Sequence, residues 1–294
     1  MSQAHKPSMK KLILLTLLAA PLAVAGAFQP QNIPIEAQWY LHGDLTGLRQ
    51  TNAGAFILNQ IRQDEADKIA NIKALFGFDL LEDLTDATLF GTGKADEIAI
   101  TLSGGFNRAR FEKVIAQADA YKLTTNGAAS IHQWEDKGST QHAAFHGENT
   151  VIISQQKELL KLALDVLARK KPGIKANLTL PSQAPFVIAY ANIRKIEIPL
   201  DEGSRLVRKA DSILMTLSEN QNRLVADMIV TTDSSKMAKR MMDVLEGLVS
   251  LGELADETIQ KLDIHHNGQT SGKTMTMTMS LPAANALALI SKLK

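Results

Sequence analysis

The chain has 294 residues, 45% of them hydrophobic and 21% charged, with a net charge of +1 and no cysteine. That composition is globular, neither disordered nor membrane-embedded, and its near-neutral charge gives nucleic acid or an acidic lipid surface no electrostatic claim on it. Without cysteine there is no disulfide, thiol nucleophile, thiolate metal site or acylated lipoprotein cysteine, so stability must come from the core alone.

Residues 1–27 read as a secretory signal. Lys10 and Lys11 precede the apolar run Leu12 to Ala20, which Pro21 interrupts. Ala23-Val24-Ala25 and Ala25-Gly26-Ala27 then place small residues at alternate positions, the form a signal peptidase cuts. Met9 offers a tighter start than Met1. The run falls short of the roughly 20 apolar residues of a spanning helix, which makes it cleavable, and no later stretch reaches that length. Losing Lys6, Lys10 and Lys11 with no acid moves the net charge from +1 to about −2. Such a bacterial chain is bound for the periplasm, or for release outside the cell.

Trp39 to Leu45 reads as a short strand, followed by a helical stretch from Leu48 to about Phe76 and a strand at Thr88–Gly91. Glu97 to Leu102 is a strand running through Gly104-Gly105 into a helix near Asn107 to Tyr121. Turns at Asn126-Gly127 and around Asp136-Lys137-Gly138 mark hairpins, and Val151–Ser154 leads into a helix over Lys157–Lys170. Lys170 to Pro185, with three prolines and a glycine, has linker composition.

The order then repeats. Phe186 to Ile193 is a strand. Leu206, Ala210, Ile213, Leu214 and Leu217 give Glu202–Glu219 a stripe at helical spacing. Leu224 to Val230 is a strand entering, after the capping pair Asp233-Ser234, a helix with Met237, Met241, Leu245 and Leu248 inward. A hairpin turning at Asn267-Gly268, the strand Met275–Ser280 and a helix at Ala283–Lys292 close the chain. The predicted fold is α+β: two similar halves, 28–170 and 186–294, joined by a linker at 171–185, each an antiparallel sheet with helices packed on one face. The halves match in element order and little in residue identity, as either a duplication or a chance recurrence would leave them.

Trp39 to Leu45, Leu75-Phe76-Gly77-Phe78-Asp79, Asp83-Leu84-Thr85 and Phe106-Asn107-Arg108-Ala109-Arg110-Phe111 resemble a loose group of exported bacterial α+β proteins. No activity is assigned to that group, so the resemblance implies a fold and an exported location and carries over no functional residue.

The chemical motifs resolve mostly into structure. Asn267 to Thr274 nearly fits a phosphate-binding loop, but Asn267 stands where Gly is required, and the alternating Thr and Met that follow mark a strand where the loop needs a helix. His132, His142 and His146 lie on the two arms of the hairpin around Asp136-Lys137-Gly138. Should His132 pair opposite His142, all three would converge beside Trp134 and could hold Zn or Cu; a one-residue slip sends His132 to the other face. Met275, Met277 and Met279 could offer thioethers to Cu(I), but an apolar residue at every second position is also what a buried sheet face requires. His265-His266 straddles a strand with no evident partner. Ser103-Gly104-Gly105 lacks a nearby histidine, and its glycines could face an anion or simply make a tight turn. Glu82, Asp83 and Asp86 read as a solvated loop before they read as an acid–base pair.

No catalytic template survives and no cofactor is called for. The expected function is a non-catalytic binding or envelope-associated protein, with an envelope protein or a small ligand as partner and no nucleic acid. A hydrolytic or metal-assisted enzyme whose residues meet only in three dimensions, and a metal-handling protein using His132, His142 and His146, are the competing classes.

Overall fold

The computed structural model describes residues 28–175, 184–197, 206–255 and 257–292. Residues 1–27, on which the signal reading rests, and 202–205, the start of a predicted helix, lie outside the described residues. Among the described residues twelve strands form a single antiparallel sheet.

Strand β1 (Trp39–Asp44) ends on Asp44, whose carboxylate accepts the Gly47 N–H at 3.1 Å and caps the short α1 (Leu45–Arg49). The helical stretch predicted from Leu48 to Phe76 is broken. Thr51 Oγ1 donates to the Leu48 carbonyl and accepts the Gly54 N–H, ending one helix and capping the next, α2 (Asn52–Asp64). Glu65 leaves helical geometry before α3 (Ala66–Phe76), which Gly77 closes at φ 76°. β2 (Leu84–Gly91) and β3 (Ile98–Gly104) follow, then α4 (Arg108–Ile115), capped by Asn107 and shorter than its apolar pattern suggests. β4 (Lys122–Asn126), β5 (Ala129–Asp136), β6 (Ser139–His146) and β7 (Thr150–Ser154) form a meander ending in α5 (Lys157–Leu167).

The second half runs β8 (Val187–Ala191), β9 (Ala210–Asn220), β10 (Arg223–Thr232), α6 (Ser235–Ala255), α7 (Glu257–Gln260), β11 (His265–Ser271), β12 (Thr274–Pro282) and α8 (Ala283–Lys292). The order of the whole sheet from one edge to the other is β11-β12-β10-β9-β8-β1-β2-β3-β7-β6-β5-β4. The halves meet at an antiparallel β1–β8 seam in which Tyr40 opposes Tyr190, their rings stacked 5.3 Å apart.

Two sequence expectations fail here for physical reasons. The helix predicted over 202–219 is, from Ala210 on, strand β9. Ile213 and Leu217 face one side of the sheet and Leu214 the other, and all three pack on apolar neighbours, so a strand buried on both sides imitates helical spacing. The missed signal is Gln221-Asn222, both at positive φ (49° and 61°), which turn β9 into β10 as a two-residue hairpin. The second failure is Asn267-Gly268, which lies inside β11; the hairpin turns at Gly272-Lys273, with Gly272 at φ 56°. Gly268 is needed for another reason: a Cβ there would stand 2.4 Å from Met242 Sδ of the overlying α6.

Helices also occupy both faces, against the one-face expectation. On the front face Leu89, Ile100, Leu102, Phe145 and Val151 pack against Leu48, Leu58, Ile69, Ile72 and Phe111 of α1–α4. Further along that face, Val230, Met275 and Met277 take Met241 and Met242 of α6. On the back face Phe90, Ala99, Ala144 and Ile152 take Leu159, Leu160, Ala163 and Leu164 of α5. The first-half strands are apolar on both sides and need cover on both. In the second half the back face is more polar: Asp227, 4% exposed, accepts the Thr278 hydroxyl at 2.6 Å and the Thr216 hydroxyl at 3.4 Å.

Candidate functional site

The three candidate metal ligands do not meet. β5 and β6 pair so that Gln133 opposes His142 and His132 opposes Ala143. His132 therefore points to the front face, while His142 and His146 point to the back. Buried at 4% exposure, His132 sits with Nδ1 3.0 Å from the Tyr121 hydroxyl and Nε2 3.6 Å from the Glu112 carboxylate, which Arg108 also holds. Burial pushes its pKa below the usual imidazole value despite Glu112. His142 is buried too, and its Nδ1 donates to the Gln155 carbonyl at 3.2 Å; burial again lowers the pKa. Among the described residues no group of three or more His, Asp or Glu side chains is placed to hold a metal ion.

The other motifs are used internally. Met275 and Met277 are buried core residues. His265 and His266 face opposite sides, and His265 does have a partner, Asp263 at 3.1 Å. The Gly104 and Gly105 N–H groups donate to the carbonyls of Asn149 and Asp83, so they are not offered to an anion. Of the acidic cluster, Glu82 pairs with Arg62 and Asp83 accepts the Asp79 N–H.

Asp86 is different. It lies within β2, directly opposite Asp44 of β1, and the two carboxylates share the back face. Burial, then repulsion from Asp86, raises the Asp44 pKa to about 7 against the pull of the capping Gly47 N–H. Burial raises Asp86 as well, with the Ser103 and Thr85 hydroxyls acting in the other direction. Asp86 opens on a cleft of about 220 Å³, bounded by Gln29 and Asn32 before β1, by Leu167 at the end of α5, and by β1, β2, β3 and β7. Its floor holds His42, 5% exposed, with Nδ1 2.7 Å from Thr88 Oγ1 and its ring 5.0 Å from that of Phe28. Sequence reading flagged Asp86 but paired it with its chain neighbours. Its true neighbour, Asp44, becomes visible only once β1 and β2 are known to pair.

A second exposed feature lies on the front face. Met241 and Met242 seat α6 on the sheet, with Met237, Leu245 and Val249 beside them. Leu248, expected to point inward, is 58% exposed, and Val244, Leu251 and Leu254 are 44%, 62% and 79% exposed. Spaced at four, three and three residues, they form one stripe along the helix flank. Met215 of β9, 47% exposed, is on the same sheet face. Among the described residues no helix is long and apolar enough to cross a membrane.

No protein-family model matches the chain, and no curated protein matches it either. Solved structures do. Crystal form III of TP0453 aligns at a TM-score of 0.51 and 13% identity over 91% of this chain and 100% of that one. Crystal form IV aligns at 0.51 and 12% identity over 93% and 99%. This chain therefore resembles TP0453 in fold across nearly its whole length.

Proposed function

We propose that this chain is an exported, non-catalytic binding protein that takes an apolar surface of an envelope protein on the flank of α6. The carrying observation is the stripe Val244, Leu248, Leu251 and Leu254, four large aliphatic side chains left in water on one side of a helix already seated by its other side. Covering the 44–79% of each that is still exposed contributes about 1–2 kcal/mol, enough for four to support a specific complex. The leader in residues 1–27 supports export to the periplasm. The mirrored strand order outward from the β1–β8 seam supports a duplicated origin for segments 28–170 and 186–294, with 171–185 joining them.

The test is a photo-cross-linking amino acid at 248 or 251 in cells, with Lys175 as a polar control position. Discrete protein adducts at the two stripe positions, absent at 175 and abolished by Leu251→Glu in the Leu248 probe, are expected. Equal labelling at all three positions would refute the reading.

A further inference from the structure

We propose that Gln141 and Trp134 bind internal water, at a polar site closed between the β5–β6 hairpin and the chain that follows α4. This inference is independent of the α6 stripe, which belongs to the other half of the sheet.

Alternation along β6 fixes where Gln141 points. Ala143 and Phe145, two and four residues further on, lie in the front-face core with Phe111 and Ile115 of α4, so Gln141 faces that core too. Directly opposite it, on β5, stands Trp134 of the same core. The segment beyond α4 closes over the hairpin. The Glu135 N–H donates to the Asp119 carbonyl at 3.0 Å, and Ala118 and Tyr121 pack against the core. Gln141 is thereby 0% exposed and Trp134 2% exposed.

That burial cuts off three polar atoms. The Gln141 carboxamide oxygen and nitrogen and the Trp134 indole nitrogen are shielded from solvent, and none has a hydrogen-bond partner among the described residues. His132 Nε2, two positions along β5 on the same face, also lacks a hydrogen bond, with the Glu112 carboxylate 3.6 Å away. Buried polar groups in folded proteins are nearly all bonded, to protein or to ordered water, because an unmet one keeps its full desolvation cost.

The chemistry of these groups names the occupant. An indole N–H only donates, whereas a carboxamide accepts through oxygen and donates through nitrogen. A molecule that joins the two must accept one bond and donate another, and it must be very small to lie between side chains with no exposed rim. Water meets each condition, and buried waters characteristically bond several polar groups at once. One water accepts the Trp134 N–H and donates to the Gln141 oxygen, leaving the carboxamide NH2 to bond a second.

Water-selective rotating-frame NOE spectra of the signal-free protein test this. The chain has two tryptophans, so Trp39→Phe leaves a single indole N–H resonance, that of Trp134. Cross-peaks from water to this N–H and to the Gln141 side-chain NH2 are expected. They should persist when Tyr121→Phe and Ser139→Ala remove two hydroxyls on that face that could relay exchange. Gln141→Met keeps the length of the side chain without its carboxamide, and the Trp134 cross-peak should be lost. If that variant fails to fold, the cross-peaks to the Gln141 NH2 carry the test. Absence of a water cross-peak at both groups, the result of a direct indole–carboxamide bond, would overturn the proposal. So would a Trp134 cross-peak that disappears with the two hydroxyls or survives Gln141→Met unchanged.

Discussion

Replacing Asp44 with asparagine separates the two jobs that this side chain performs. Asn caps a helix as well as Asp does, so α1 keeps its start, but Asn cannot ionise. The folded protein raises Asp44 from 3.8 to about 7. Between those values the folded state holds a proton that the unfolded chain has lost, so stability falls as pH rises through that window. At about 1.4 kcal/mol per unit the full displacement corresponds to about 4 kcal/mol; Asp44 is only half-buried, and screening by solvent brings the expected effect to about 1–2 kcal/mol. Asp44→Asn should therefore match the wild type near about pH 4 and exceed it by about 1–2 kcal/mol near about pH 8.5. Urea denaturation at a series of pH values reads the difference directly. His132 and His142, lowered by burial, work in the opposite sense and cost stability as pH falls below their unfolded value, but they are common to both proteins and cancel. Parallel pH profiles for the two proteins, or a less stable Asn variant at high pH, would refute the carboxylate argument.

Further outcomes follow from packing and burial. Gly54→Ala places a Cβ 2.1 Å from the Leu48 carbonyl oxygen and should cost about 1–3 kcal/mol in urea denaturation. Gly247→Ala, in α6 with open space around it, should instead stabilise by about 0.4–1 kcal/mol in the same assay. Met277→Leu should cost less than about 1.5 kcal/mol and Met277→Ala about 2–5 kcal/mol, with thermal unfolding as the readout; near-equal losses would mean that Met277 is not a packed core residue. In an NMR titration the imidazoles of His132 and His142 should both show midpoints below the ordinary histidine value of 6.5.

Residue patterns revealed the strands that alternate and the helices with one apolar stripe: β1, β3, β7, β10, β12, α5 and α8 all lie close to where Trp39, Ile98, Val151, Leu224, Met275, Lys157 and Ala283 suggest. They misled where both sides of an element are buried. β9 carries Ile213 and Leu214 into different cores, a pattern indistinguishable from a helix flank without knowledge of its neighbours. Register was equally hidden. Whether His132 faced His142 depended on a single-residue choice that only the two-residue turn at Lys137-Gly138 decides. The Asp44–Asp86 pair was out of reach because it depends on strand pairing across three intervening helices, and each carboxylate alone looks like an ordinary turn or loop residue.

The β1–β8 seam has a temporal consequence. As the polypeptide emerges N-terminus first into the compartment where it folds, β1 can gain β2 early, but its other backbone edge finds no mate until Val187 emerges, roughly 140 positions after Asp44. Throughout that interval Trp39 to Gly43 present a bare hydrogen-bonding rim with Tyr40 on it, able to zip onto the β8 of another molecule as readily as onto its own. A holding chaperone that covers the chain until Ala191 is available would be felt most at this rim. Dimers that trade their C-terminal halves are the misassembly to look for when refolding is attempted at high concentration.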